Sequence, residues 1–441
     1  MPAKNNSAGA RRHIVLIPGF GGFDALGQVE YYAGVTQLFQ HWKHTSHPQP
    51  PVALHYFDNL PTAAVATRAH RLCVYLAKRM ARGEILDTDK IVLVGHSTGG
   101  LDIRRLISDL HNAKNRKVHA DGESAVPASA ILNCIDRVVF LSVPHWGTNI
   151  ADWAHSHSVL RKTAVTDLRA VIAGSQLCLL DKIESGIAAE SASLTGADLI
   201  LALRDALTEA NGRLAGSDPT RIAAAEEAAS ELELYFRQMA TDFRAIDDLT
   251  SQPNGDKVSP AHFDNRARIA ELSLWKRLKI QTLSYATVGG RPFLFPTDAG
   301  CPAPTLDLRD PFAYADIATG SGLSAGTDFS YRLCYRACAG GPFRRPKLAG
   351  EIARILEPAP PEPLELWDND GIVNTLSMLW PGENTLVLAD HLDIVGHYRL
   401  RRAPHNSSLR TYRSYDSLKS VPLFTDKVFK EIWTEIFLFS I

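Results

Sequence analysis

The stretch KIVLVGHSTGGLDIRRLI, from Lys90 to Ile107, places a serine between two glycines where an apolar run ends. The apolar run predicts a buried strand and the residues after the glycines predict a helix, so Ser97 lies in a tight strand-to-helix turn. Side chains at Gly95 and Gly99 would collide with such a turn, and only glycine lacks the Cβ atom. The first turn of the helix favours negative charge beside the serine. Ser97 is therefore the predicted nucleophile.

Short apolar segments bounded by turn residues recur on both sides of this stretch. Their hydrophobicity is continuous rather than alternating, which is typical of strands buried on both faces of a parallel sheet. The spacers between the early segments are long enough for crossover helices, so we predict an α/β fold with helices on both faces of a mostly parallel sheet. The predicted strands are HIVLIPG from His13, PVALHYF from Pro51, KIVLVG from Lys90, DRVVFLSVP from Asp136, KIQTLSYATVGG from Lys279 and NTLVLAD from Asn384.

Two segments carry clear helix signals. TAAVATRAHRLCVYLAKRMARG has apolar residues at mostly helical spacing, and it predicts a helix capped by the side chain of Thr62 and ended by Gly83. TDKVFKEIWTEIFLFSI, at the end of the chain, repeats apolar residues at helical steps. We predict that this last segment is a closing helix that docks on the core.

A long region between the fourth and fifth predicted strands is rich in alanine, leucine and glutamate. Its apolar residues recur at steps of three and four, which indicates helices. We interpret residues 155–275 as a helical insertion between two parts of the core, residues 1–154 and 276–441. Core packing is the simpler explanation of the apolar stripes. A lid or pocket wall over Ser97 is the functional interpretation.

A serine hydroxyl becomes nucleophilic when a base removes its proton and a carboxylate orients the base. In a sheet of this type the chain order is serine, acid, histidine, each following the carboxyl end of a strand. Asp370 precedes a glycine in WDNDGIVN, and His391 follows the last predicted strand. We predict Asp370 as the acid and His391 as the base, with Asp368 and His397 as the alternatives.

Attack on a carbonyl also requires donors for the oxygen that becomes negatively charged. One donor is the N–H group of the residue after the nucleophile, Thr98. The glycine-rich loop in VLIPGFGGFD offers the second, with Phe20 between Gly19 and Gly21. A tight glycine turn without this role is the alternative interpretation of the loop.

Composition excludes several classes of function. The 441-residue chain has a formal net charge of −1 and no long basic run, so no nucleic-acid partner is expected. Its first residues form no apolar leader, and no run of about 18 apolar residues occurs, so we expect a cytoplasmic protein without a membrane span. The 6 cysteines form no CxxC pair and are too sparse for a disulfide framework, so they are expected to be reduced.

The order of the motifs resembles that of the bacterial true lipases of the α/β-hydrolase superfamily. The motifs that carry the resemblance are IPGFGG, GHSTGG, SVPHWGTNIADW, FRAIDDLTSQ, LSYATVGG, WDNDGIVN and ADHLDIVGH. The resemblance covers most of the core and little of residues 160–240. Pro18 and Trp146 stand where that family has a histidine and an arginine, and no secretion signal is recognised. These departures leave the implied chemistry unchanged, but a triglyceride substrate and an extracellular setting are not carried over from the resemblance.

The resemblance implies an α/β-hydrolase fold with a helical lid and the activity of a serine esterase or lipase. The nucleophile, acid, base and two oxyanion donors that it implies are Ser97, Asp370, His391, Phe20 and Thr98, the same residues that the strand ends and glycine turns predict. In some members an aspartate two residues after the base binds calcium, and Asp393 occupies that place.

Helix capping by Asp393 is the alternative to a calcium site, because no distant second carboxylate is identifiable in the sequence. HWKHTSH contains His41, His44 and His47 but no acidic or cysteine ligand, so we interpret it as a solvated helix end and loop. Serine chemistry itself requires no cofactor.

The expected substrate is an ester with an apolar acyl chain of medium or long length, held by burial of about 0.8 kcal/mol per CH₂. Phe23, Trp146 and Trp153 are the predicted substrate-binding residues, and contact with a lipid interface follows from such a substrate. Acyl transfer to an alcohol and depolymerisation of an intracellular polyester use the same reacting groups. A catalytically inactive binding module is the alternative from another class.

Overall fold

Six parallel strands form the main sheet of the computed structural model. The strands are β1 (Arg12–Ile17), β2 (Val52–Tyr56), β3 (Lys90–His96), β4 (Ile135–Leu141), β5 (Gln281–Val288) and β6 (Glu383–Leu388). All six predicted strands are therefore confirmed. The structure describes residues 10–22, 25–26, 29–156, 234, 238, 242, 244–250, 265–289, 338–339, 368–381, 383–397 and 424–441.

The strands lie side by side in the order β6-β5-β4-β3-β1-β2, and every pairing is parallel. Strand β2 lies on one side of β1, whereas β3 and all later strands lie on the other side, so the order of the strands reverses at β1. Because the strands are parallel, the loops after β1, β3 and β6 meet at one edge of the sheet. The three predicted site loops are therefore brought to the same edge.

Helices cover both faces of the sheet. On β1, Ile14 and Leu16 point to one face and pack with helices α1 and α9, whereas Val15 and Ile17 point to the other and pack with α2, α3, α4 and α7. The helices are α1 (Val35–Ser46), α2 (Val65–Ala81), α3 (Thr98–Asn112), α4 (Ala128–Cys134), α5 (Asn149–Ser156), α6 (Ala245–Asp248), α7 (Asn265–Leu278), α8 (Thr375–Met378) and α9 (Asp426–Phe439). With the strand-serine-helix turn between β3 and α3, this is the α/β-hydrolase fold.

Smaller elements complete the described part of the chain. A 3₁₀ turn spans Asp393–Val395, and two short antiparallel pairs join Ala25–Leu26 with Val29–Glu30 and Lys117–Val118 with Val126–Pro127. Among the described residues, no helix combines the length and the apolar character that a membrane span needs.

The predicted closing helix is confirmed as α9. Its buried face carries Trp433 and Phe437, which contact aromatic rings on α1 and on the segment before it. The ring centroids of Phe437 and Phe39 are 5.4 Å apart, and those of Trp433 and Tyr32 are 5.9 Å apart. Each buried aromatic side chain contributes about 1.5–3 kcal/mol, so α9 is a major part of this core.

The prediction that Thr62 caps α2 is wrong. The N–H group of Val65, at the start of the helix, donates to the carboxylate of Asp248 at 2.8 Å, and the Thr62 hydroxyl instead donates to the carbonyl of Asp242 at 2.7 Å. An acidic side chain from α6 therefore supplies the cap. The helix ends as predicted, with Gly83 in the left-handed region at φ 70°.

These contacts anchor the segment around α6 on the core. The Ala245 N–H donates to the Thr62 carbonyl, and the Thr148 N–H donates to the Leu249 carbonyl. Most of the predicted insertion, residues 155–275, lies outside the described residues. Its assignment as a lid and the division of the chain at its ends stay predictions.

Candidate active site

Ser97 lies in a strained turn between β3 and α3, as the sequence predicts. Its backbone has φ 51° and ψ −128°, a conformation that a residue with a side chain rarely adopts and that costs about 1–3 kcal/mol. A Cβ atom added to Gly95 would lie 2.6 Å from the nitrogen of Gly100, and one added to Gly99 would strike the carbonyl of Ile17. The two glycines are therefore required by the close approach of backbone atoms.

The glycine-rich loop after β1 runs directly beside the serine. A Cβ atom added to Gly19 would lie 2.6 Å from the Cβ of Ser97. Three amides of the loop hold its shape, with Gly19 donating to the Tyr31 hydroxyl at 2.9 Å, Gly21 to the Pro61 carbonyl at 2.8 Å and Gly22 to the Gly19 carbonyl at 3.1 Å. Phe20 lies between the first two of these amides.

Thr98 is the first residue of α3, where backbone N–H groups have no acceptor within the helix. The helix also directs its positive end toward Ser97. Both features suit stabilisation of a negative oxygen next to the serine. Phe20 and Thr98 therefore stay the predicted oxyanion donors, and the loop geometry brings the Phe20 segment to the serine.

His391 and Asp370 form a buried hydrogen-bonded pair. The Nδ1 atom of His391 lies 2.7 Å from Oδ2 of Asp370, whose side chain is fully buried. The other carboxylate oxygen accepts the N–H groups of Ile372 at 3.0 Å and Val373 at 2.8 Å. Because a carboxylate accepts, Nδ1 carries the proton, and in a neutral ring Nε2 is then free to accept a proton from a hydroxyl.

Thr287, at the end of β5, supports this pair, and sequence reasoning missed it. Its hydroxyl donates to Oδ2 of Asp370 at 2.6 Å and therefore accepts from the hydroxyl of Ser142 at 2.8 Å. The Thr375 hydroxyl in turn donates to the Thr287 carbonyl at 2.8 Å. A threonine at a strand end is too common for its sequence position alone to indicate this role.

The alternative acid and base have other contacts in the structure. The Asp368 carbonyl accepts the N–H group of Thr375 at 2.8 Å, and Nε2 of His397 lies 2.9 Å from the carbonyl of Tyr31, to which it donates. Asp370 rather than Asp368 is thus the carboxylate that reaches His391.

A buried ion pair holds the loop beside the serine, and sequence reasoning also missed it. Arg68 of α2 and Asp102 of α3 are fully buried, and Nε of the arginine donates to the carboxylate at 2.9 Å. The remaining guanidinium nitrogens donate to the carbonyls of Pro18 at 2.7 Å, Gly19 at 3.2 Å and Leu60 at 2.8 Å. A planar guanidinium can serve all these acceptors at once.

Burial raises the pKa of Asp102 to about 6, although the Arg68 guanidinium opposes the shift. At neutral pH both partners are charged, so removal of one leaves an uncompensated buried charge. Arg68→Met is expected to lower the free energy of unfolding by about 3–5 kcal/mol. The double variant Arg68→Met/Asp102→Leu is expected to regain part of that loss, because it removes both charges.

Urea unfolding of the two variants and the parent measures this effect. Esterase activity should be low in both variants, because in both the Pro18 and Gly19 carbonyls lack the donor that Arg68 supplies. An Arg68→Met protein that unfolds at the parent's urea concentration would contradict the assignment.

The predicted substrate-binding residues are only partly described. Trp146 is buried, and its backbone N–H donates to the hydroxyl of Ser377 at 3.0 Å. Trp153 belongs to α5, and Phe23 lies outside the described residues. A role in substrate binding stays a prediction for all three.

Asp393 opens the 3₁₀ turn after His391. Its carboxylate accepts the N–H group of Asp390 at 2.9 Å, while the Asp390 carboxylate accepts the N–H groups of Leu392 and Asp393. The two aspartates thus accept each other's backbone N–H groups, while Leu392 is the residue that precedes the turn. Helix capping by Asp393 stays a prediction. Calcium binding by Asp393 stays a prediction. Within the described ranges, no three histidine, cysteine or acidic side chains group in a way that could hold a metal.

The HWKHTSH segment matches its interpretation as a solvated helix end. His41 and His44 lie in the exposed last turns of α1, and His47 follows that helix.

No protein-family model and no curated protein matches this chain. Among solved structures, lipase 1 from Pelosinus fermentans is similar at 14% identity, with 96% of this chain and 98% of that chain covered and a TM-score of 0.38. The metagenomic carboxyl esterase MGS0156 is similar at 13% identity, with 99% and 77% covered and a TM-score of 0.35. Bacillus licheniformis lipase BlEst2 in mature form is similar at 13% identity, with 90% of each chain covered and a TM-score of 0.36.

Proposed function

We propose that this protein is a serine hydrolase that cleaves carboxylic esters through an acyl-enzyme intermediate. The observation that carries the proposal is the 2.7 Å contact between His391 and the buried Asp370, at the same sheet edge as the strained Ser97 turn. In a sheet of this type, the serine nucleophile, the acid and the histidine base are carried by three such loops, in this chain order.

In the proposed first step, Nε2 of His391 accepts the proton of the Ser97 hydroxyl while the serine oxygen attacks the ester carbonyl carbon. The N–H groups of Phe20 and Thr98 donate to the carbonyl oxygen as it becomes negative. His391 then gives its proton to the leaving alkoxide, and the acyl group remains on Ser97. Water then attacks the acyl carbon while His391 takes one of its protons. The histidine gives that proton to the Ser97 oxygen as the bond between this oxygen and the acyl carbon breaks and the acid leaves.

Asp370 keeps the His391 ring in one tautomer and stabilises its positive charge during both steps. The backbone amides of Ile372 and Val373 and the Thr287 hydroxyl fix the carboxylate in turn. Because these contacts of Asp370 are already formed in the structure, the carboxylate needs little reorganisation when charge develops on the ring.

We further propose that the acyl group is apolar and of medium or long chain length. The support is the apolar character of the sequence next to the site loops and the long segment inserted after β4. Each CH₂ that is fully buried contributes about 0.8 kcal/mol, which is roughly a fourfold gain in affinity.

A series of p-nitrophenyl esters from acetate to laurate tests the substrate proposal. We expect kcat/KM to rise with chain length, and we expect a variant in which residues 160–240 are replaced by a short linker to lose that preference. The replacement ends before residue 242 because the following segment is anchored on α2 and its loop. The proposal would be contradicted if kcat/KM were highest for the acetate ester and if a shortened variant that still folds showed the same preference.

A further inference from the structure

His96, the residue before Ser97, joins two loops of the proposed site. Its ring is fully buried, with Nε2 at 2.8 Å from the carbonyl oxygen of His391 and Nδ1 at 2.6 Å from the hydroxyl of Tyr31. The same hydroxyl accepts the N–H group of Gly19 at 2.9 Å. The side chain of His96 thus contacts the loop that carries His391, the base loop, directly. It contacts the glycine-rich loop after β1, the oxyanion loop, through Tyr31.

The direction of each hydrogen bond in this chain is determined by chemistry. The His391 carbonyl can only accept, so Nε2 of His96 carries a proton. Burial, and then the neighbouring His391, hold the pKa of His96 well below its ordinary value, so the ring is neutral and Nδ1 accepts. Tyr31 therefore donates to His96 and accepts from Gly19. Only this arrangement satisfies all of these groups.

A second histidine, His397, links the base loop to Tyr31 by another hydrogen bond. His397, six residues after His391, donates through Nε2 to the backbone carbonyl of Tyr31 at 2.9 Å. The base loop therefore holds the main chain of Tyr31, while the hydroxyl of Tyr31 reaches back to the base loop through His96.

We propose that Tyr31 and His96 are positioning residues that fix the oxyanion loop and the base relative to each other and to Ser97. The proposal rests on the proposed function. Tyr31 sets the place of Gly19, whose position next to the Cβ of Ser97 allows no side chain. His96 sets the place of the His391 carbonyl, while the His391 N–H donates to the Asp370 carbonyl at 3.1 Å.

The backbone of the base is thus held at both its N–H and its carbonyl group. Fixing both groups limits rotation of the peptide units on either side of His391, which determines where Nε2 points. Displacement of a reacting group by about 1 Å can cost a hundredfold in rate. The network should therefore influence kcat more than binding of a small substrate.

Tyr31→Phe tests the role of the hydroxyl, with Tyr32→Phe as the matched control. Tyr32 is the next residue and is also buried, but its hydroxyl donates to the Ile17 carbonyl at 2.6 Å. For p-nitrophenyl butyrate we expect Tyr31→Phe to lower kcat by about ten- to hundredfold with KM changed less than about twofold. We expect Tyr32→Phe to lower kcat by no more than about threefold at a similar loss of Tm.

Equal kcat values for the two phenylalanine variants would overturn the proposal, because they would show only the general effect of losing a buried hydroxyl. The failure of the proposed function would look different, since the unaltered protein would then neither cleave the ester nor be labelled by a fluorophosphonate.

His96→Gln and His96→Asn give a second test that does not depend on folding of Tyr31→Phe. Glutamine can place an amide N–H near the position of Nε2 and keep the donation to the His391 carbonyl, whereas the shorter asparagine cannot. We expect kcat of His96→Gln to exceed that of His96→Asn by about tenfold. Equal values in the two variants would overturn the role of His96.

The tautomer of His96 can be read in the unaltered protein by ¹⁵N spectra of histidine-labelled samples, with the His96→Gln spectrum for assignment. We expect a neutral ring protonated at Nε2 from pH 6 to 9. Protonation at Nδ1, or a titration within that range, would overturn the proposed directions of hydrogen bonding.

Discussion

Ser97→Ala is expected to abolish ester cleavage, with a loss of about 10⁴- to 10⁶-fold in kcat. Alanine cannot form the acyl-enzyme, and the remaining donors and base have no attacking atom to assist. The fold should be retained, because alanine has the same Cβ atom and accepts the same backbone strain. Hydrolysis of p-nitrophenyl butyrate and labelling by a fluorophosphonate measure the two consequences.

Ser108→Ala is the matched control, since Ser108 lies on α3, the helix that follows Ser97. It should keep full activity and labelling, with the adduct found by mass spectrometry on the peptide that contains Ser97. Labelling that persists in Ser97→Ala would show that another residue is the nucleophile, and the proposed function would have to be abandoned at this site.

Asp370→Asn is expected to give the second largest effect, a loss of about 10³- to 10⁴-fold in kcat. The shape of the side chain is kept, but an amide N–H in place of the carboxylate oxygen would face Nδ1 of His391. The ring would then accept at Nδ1 and carry its proton at Nε2, where it could not take the proton of Ser97. The charge that stabilises the protonated ring would also be lost.

The comparison variant is Asp368→Asn, since Asp368 is two residues away in the same loop and is also buried. It should retain activity within about tenfold, because its carboxylate is not the one that contacts His391. Measurements of kcat at pH 8, with circular dichroism to verify folding, separate the two. The reverse order of activities would mean that Asp368 is the acid.

The strands and the serine turn were predictable because their signals are local. Continuous apolar runs indicate buried strands wherever they occur, and the glycines around Ser97 are dictated by atoms of the same turn. The choice of Asp370 and His391 also followed from local features, a turn glycine and a strand end. Their contact in the structure agrees with that choice.

Features that depend on distant parts of the chain were not predictable in this way. Thr62 is a good cap by local rules, but the N–H group of Val65 donates to Asp248, which lies 183 residues after Val65 in the chain. Tyr31 and Tyr32 are adjacent and identical in type, and only the fold decides which hydroxyl meets His96.

The burial of Arg68, by contrast, could have been predicted from the sequence. It lies three residues after Val65 and four before Leu72, at a helical position where an apolar residue is expected. A charged residue in the buried stripe of a helix indicates a buried partner, and Asp102 occupies a buried position on the following helix. The identity of the carbonyls that Arg68 also binds could not be read from that pattern.

The neutral histidines of the positioning network make the fold sensitive to acid. Burial lowers the pKa of both His96 and His397, whereas in the unfolded chain each would bind a proton near pH 6.5. As the pH falls below that value, the unfolded chain takes up protons that the folded chain cannot, so the folded state loses stability. Acid should therefore open the contacts of Tyr31 and release the loops around Ser97 together, and activity should disappear as Tm falls.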